Sequence, residues 1–120
     1  MNSQSAKWQT LVIGTILALT LGASRAAAQA PDGATLYREN CRSCHGATGV
    51  APQRMRTVYK TIPNLDSAFL AKRSEDSVAA VIRNGAGRDM KGFKDKLTAD
   101  EILAIAKHVR GFAAPAPKTP

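Results

Sequence analysis

Apolar residues recur at helical offsets along most of the chain beyond residue 30, and no stretch alternates apolar and polar positions long enough to build a sheet. Asp32 is placed to cap a helix running through GATLYRENC, in which Leu36, Tyr37, Asn40, Cys41 and Cys44 fall within reach of one another at helical spacing. A second, short helix starts at Asp66 in DSAFLAK. A third is capped by Ser74, carries Glu75 and Asp76 in its first turn against the helix dipole, buries Val78, Val81 and Ile82, and stops at Gly85. The last is the most clearly marked. TADE, from Thr98 to Glu101, forms a capping box, and Ile102, Ile105, Ala106, Val109 and Phe112 repeat along one face. The pattern predicts a small all-α domain of four to five helices joined by long loops.

Both ends depart from this pattern. Lys7 precedes an apolar run, LVIGTILALTLG (Leu11 to Gly22), and then a small-residue segment, ASRAAAQA. This order predicts a secretory signal peptide over residues 1–28, cleaved after Ala28, since cleavage after Ala30 would leave Pro31 first. An uncleaved anchor is the alternative, but the run falls short of the about 20 apolar residues that a membrane span needs. The domain then covers residues 29–113. APAPKTP (Ala114 to Pro120) is too rich in proline for a helix and is read as a disordered tail over residues 114–120.

A domain this short buries only about two thirds of its unfolded surface, so its own side chains make a thin core. Its aromatic residues are few: Tyr37, Tyr59, Phe69, Phe93 and Phe112, with Trp8 lost in the leader. A large planar apolar group would supply the missing bulk. The chemistry that brings one in lies in ENCRSCHGATG, residues 39–49, which holds both cysteines of the chain and follows the second at once with His45. A redox dithiol expects a βαβ setting, and a closed zinc site needs four ligands, whereas the only other histidine is His108. A disulfide across two intervening residues closes too small a loop to stabilise much. Cys-x-x-Cys-His in an exported chain points instead to haem attachment. Cys41 and Cys44, one helical turn apart, reach the two vinyl groups of one haem as thioethers, and His45 stands under the iron as proximal ligand. The other nitrogen of that imidazole needs a carbonyl to fix the ring, with Pro52 and Pro63 both placed to offer one.

From about Gly33 to Phe112 the chain resembles the class I c-type cytochromes, especially the small bacterial monohaem type. GATLYRENCRSCHG is similar to the N-terminal helix and attachment motif of that family, with Gly33 and Tyr37 where the C-terminal helix packs. IPNL (Ile62 to Leu65) resembles its Pro-x-Leu loop, SVAAVIRNG the helix before the distal loop, and RDMKGFKDKLTADEILAIAKHVRGF the methionine loop with the C-terminal helix. The resemblance implies the small cytochrome c fold around one covalently bound haem c, with Met90 as the sixth iron ligand. Met55, in the polar stretch PQRMRTVYK, is the competitor and lies too near the attachment motif for the family's layout. Two positions depart from the pattern. Lys91 stands where a proline usually follows the ligand methionine, which removes a rigid residue from the loop and leaves the Met90 bond easier to break. His108 replaces an aromatic of the last helix and is expected to pack rather than to ligate.

Removing Lys7 and Arg25 with the leader leaves fifteen basic against nine acidic side chains, a formal net charge of +6. Four of the cations, Arg88, Lys91, Lys94 and Lys96, surround Met90. They read either as a docking collar for an acidic patch on a redox partner or as a solvated loop. Export speaks against nucleic acid, and no stable membrane anchor is expected. An iron with both axial positions filled by protein leaves outer-sphere electron transfer. The expected function is therefore not enzymatic: a soluble periplasmic carrier of single electrons, from a dehydrogenase or quinol-oxidising complex to a terminal reductase or oxidase. The alternatives are a haem-based sensor or peroxidase-like enzyme with a labile Met90, and a dedicated electron-transfer subunit of a larger oxidoreductase.

Overall fold

Four helices begin where the sequence supplies a capping side chain. The computed structural model describes residues 29–113, so the expected signal peptide (1–28) and tail (114–120) lie outside the described residues. Asp32 accepts from the Ala34 N–H at 3.1 Å and starts α1 (Gly33–Asn40). After α2 (Arg42–His45) and α3 (Gln53–Val58), Asp66 accepts from Phe69 N–H at 2.9 Å and starts α4 (Ser67–Leu70). Ser74 does the same for Ser77 N–H at 3.1 Å, opening α5 (Glu75–Asn84). The Thr98–Glu101 capping box closes at both ends, at 3.2 and 2.7 Å, and opens α6 (Ala99–Arg110). A 3-10 turn, Gly111–Ala113, follows it.

The described residues hold more helices than expected. The first helix does not run through the cysteines: Cys41, at φ −120°, interrupts it, and the chain restarts as the single turn α2. Helix α3 lies in PQRMRTVYK, read only as a polar stretch. It starts behind Pro52, whose fixed φ of −56° suits a helix entry, and it buries no residue, so it left no apolar stripe to detect. The expected absence of sheet fails at one small place. β1 (Gly85–Ala86) and β2 (Met90–Lys91) pair antiparallel, with Gly85 opposite Lys91 and Ala86 opposite Met90.

Helices α1 and α5 both pack on α6. The core gathers Tyr37 from α1, Leu65, Leu70, Val78, Ala79 and Ile82, and Ile102, Ile105, Ala106 and Val109 from α6. Val81 departs from expectation: it is 40% exposed, while Ala79 takes the buried place beside Val78 and Ile82. Where α1 meets α6, the Gly33 backbone lies so close that a Cβ there would stand 2.1 Å from the Ala104 carbonyl oxygen. Gly33→Ala must push the two helices apart, and overpacking of this kind costs about 1–3 kcal/mol. The holoprotein variant is expected to unfold at a lower denaturant concentration with an unchanged slope, which a guanidinium titration checks.

His108 joins the same contact. Its ring lies 5.2 Å from Tyr37 and 5.1 Å from Phe112, and Tyr37 and Phe112 are 5.2 Å apart, a three-ring cluster between α1, α6 and the 3-10 turn.

Candidate functional site

The attachment motif is held by its own backbone. Cys41 N–H donates to the Tyr37 carbonyl at 2.8 Å, His45 N–H to the Cys41 carbonyl at 2.9 Å, and Gly46 N–H to the Arg42 carbonyl at 2.8 Å. Residues 41, 44 and 45 therefore share one helical face. The Tyr37 hydroxyl, buried, donates to the Gly46 carbonyl at 2.8 Å and ties the end of the motif to α1. Burial, with the neighbouring Cys41 charge second, pushes the Tyr37 hydroxyl well above its ordinary range, so it stays a donor.

That face looks onto a cavity of about 570 Å³, within the roughly 300–1,000 Å³ typical of ligand and cofactor sites. Cys41, Cys44 and His45 line it, as do Met90 from β2, Pro63 and Leu65 from the loop before α4, and core residues such as Leu70, Ile82 and Ile105. Met55 and His108 are not among its lining residues. Met90 and His45 thus meet one space, while His108 is taken up by aromatic packing.

No disulfide joins Cys41 and Cys44. Burial, then the charge of Cys44, pushes the Cys41 thiol up to about 11, the opposite of the lowered value that a reactive redox dithiol needs. Burial likewise lowers the His45 imidazole. No group of three or more His, Cys, Asp or Glu among the described residues is arranged to hold a metal ion, so the zinc alternative has no ligand set there.

His45 Nδ1 is buried and has no hydrogen-bond partner among the described residues. The Pro52 carbonyl, one of its two expected partners, already accepts from Met55 N–H at 2.9 Å and Arg56 N–H at 3.1 Å as α3 begins. Pro63 lines the cavity with His45. An imidazole left without a protein partner beside a largely apolar chamber, with two thiols on the same face and a thioether on another wall, fits an iron porphyrin carrying two reactive side groups.

The loop carrying Met90 is anchored despite the missing proline. Lys91 pairs with Gly85, Phe93 N–H donates to the Ile82 carbonyl at 2.9 Å, and Lys94 N–H to that of Arg83 at 3.2 Å. Gly92 permits this: a Cβ there would stand 2.5 Å from the Arg83 carbonyl oxygen. Arg88, Lys91, Lys94 and Lys96 are all exposed around the hairpin.

Sequence reasoning missed Arg73. Half-buried on the cavity wall, its guanidinium lies 3.6 Å from the centre of the Phe69 ring and donates to the Phe69 carbonyl at 2.9 Å. The Phe69–Arg73 spacing of one helical turn was the available signal. Arg110 of α6 donates to the Leu70 and Arg73 carbonyls and fixes this corner from behind.

A family model described as cytochrome C oxidase, cbb3-type, subunit III matches residues 28–109. The chain belongs to the class I c-type cytochromes. The chloroplastic cytochrome c6 of Chlamydomonas reinhardtii is 32% identical over 100 residues, covering 82% of this chain and 64% of the relative, so the chain spans about two thirds of that protein's length. Among solved structures, the KustC0563 c-type cytochrome shares 32% identity at a TM-score of 0.62, covering 69% of this chain and 99% of its own. The dihydro-heme d1 dehydrogenase NirN, solved in complex with DHE, is 27% identical at a TM-score of 0.56, but the match takes in 74% of this chain and only 17% of NirN. A c-type cytochrome binds haem c covalently, and this one has the small, mostly helical fold and the two cysteines of that family. The same fold serves as a free-standing domain in some relatives and as part of a larger enzyme in others. No helix among the described residues is long and apolar enough to cross a membrane.

Proposed function

We propose that this cytochrome is an exported, periplasmic carrier of single electrons whose one haem is attached through Cys41 and Cys44 and ligated by His45 and Met90. The observation that carries the reading is the common cavity: His45 and Met90 line it together, and Met55 and His108 do not. The haem supplies a one-electron change of iron charge. The chain supplies the rest. The Cys41–His45 turn holds the imidazole, the Gly85–Lys91 hairpin presents the thioether, and apolar side chains exclude water from between them. Arg73, a half-buried cation on that wall, is placed to meet the acidic groups of a porphyrin. The exposed Arg88, Lys91, Lys94 and Lys96 form a collar that steers the molecule to acidic patches on its donor and acceptor, such as a dehydrogenase, a quinol-oxidising complex or a terminal reductase or oxidase.

With the iron held by both His45 and Met90, carbon monoxide would find no free position on it. The reduced holoprotein at neutral pH is expected to keep its visible spectrum under carbon monoxide. Rapid stoichiometric change would overturn the carrier reading in favour of a sensor or peroxidase-like enzyme with a labile Met90. The match to a model of an oxidase subunit favours a second reading, a dedicated electron-transfer subunit of a larger oxidoreductase. Isolation from its native cells in a stable complex, rather than as a free monomer, distinguishes it.

A further inference from the structure

A second cleft lies against the same turn and shares none of the lining residues of the cavity. Three arginines from three helices converge on it: Arg38 from the last turn of α1, Arg42 from α2 and Arg54 from α3, with Ser43 beside them. All three are exposed, and no carboxylate is among the described lining residues. Arg38 donates to the Thr35 hydroxyl at 3.2 Å, which in turn donates to the Asp32 carboxylate at 2.6 Å, so Arg38 has a carboxylate on the side away from the cleft and none within it. Three like charges gathered in one cleft with no carboxylate in its lining repel one another, and an anion seated between them relieves that repulsion.

We propose that the Arg38–Arg42–Arg54 cleft is a binding site for a phosphate group. The guanidinium is a planar fork matched to phosphate and carboxylate oxygens. One fork satisfies both oxygens of a carboxylate, whereas a terminal phosphate offers three acceptor oxygens and serves three forks together with a serine hydroxyl. The arrangement therefore favours a phosphate over an acidic side chain of a protein. The site is separate from electron transfer, and its failure leaves the carrier reading intact.

The test is calorimetric titration of the full-length holoprotein with inorganic phosphate at low ionic strength. Saturable binding at one site is expected. In Arg42→Gln/Arg54→Gln the affinity falls at least about tenfold, given the strength of charge-assisted hydrogen bonds. Lys72→Gln/Lys107→Gln, which removes the same charge from exposed positions outside the cleft, leaves it nearly unchanged. An intact haem spectrum in both variants shows that they fold. Co-sedimentation with phosphatidylcholine vesicles containing phosphatidylglycerol then separates the sources. Vesicle binding that phosphate competes and the arginine variant loses assigns the site to a lipid headgroup. Phosphate binding without vesicle binding assigns it to a soluble phosphate. Equal weakening in the two variants, no saturable binding, or binding of polyglutamate in place of phosphate overturns the proposal.

Discussion

Replacing both Cys41 and Cys44 with alanine is expected to abolish covalently bound haem. After denaturation and acid extraction, the wild-type chain keeps its haem and its increased mass, and the double variant has neither. The two positions occupy one face of a turn closed by the Cys41–His45 backbone bond, and both line the cavity. Each single variant is expected to retain one thioether, because the remaining thiol still meets the same wall. A denatured double variant that still carries haem would show that attachment lies elsewhere in the chain.

Met90→Ala is the second large effect. A neutral sulfur ligand opposite a histidine raises the potential of a cytochrome c iron. Removing it is expected to lower the midpoint potential by on the order of 100 mV, part of the roughly 0.8 V range that axial ligands span. The weak far-red band of sulfur-to-iron charge transfer in the ferric protein should vanish, and the reduced protein should become open to carbon monoxide. Met55→Ala is the control. Its side chain is not part of the cavity wall, so potential and band are expected to persist. A lost band in Met55→Ala with a retained band in Met90→Ala would reverse the assignment.

What the sequence made legible was local. The caps at Asp32, Asp66, Ser74 and Thr98 are each decided within three residues, and the structure places all four as read. The attachment motif is equally local, being one turn. Features that leave no apolar periodicity stayed hidden. The hairpin presenting Met90 has two-residue strands, too short for any periodicity, and it exists because the backbone at Gly92 passes close under the end of α5. Resemblance suggested a loop made less rigid by losing its proline at Lys91; the structure anchors that loop through strand pairing and two bonds to α5 instead. The Pro52 carbonyl looked available to His45 until α3, a helix without a buried face, claimed it. Val81 faces the cavity rather than α6: helical spacing marks a stripe wider than the neighbouring helix covers, and Val81 falls on the cavity wall.

Several side chains serve the core and the cavity at once: Tyr37, Leu65, Leu70, Val78, Ile82, Ile105 and Val109 belong to both. The chamber is therefore the centre of the molecule rather than a pocket on its surface, and the cofactor is part of what the chain folds around. Loss of the haem is therefore expected to loosen the core as a whole rather than one patch of surface, and limited proteolysis of chain made without haem checks this.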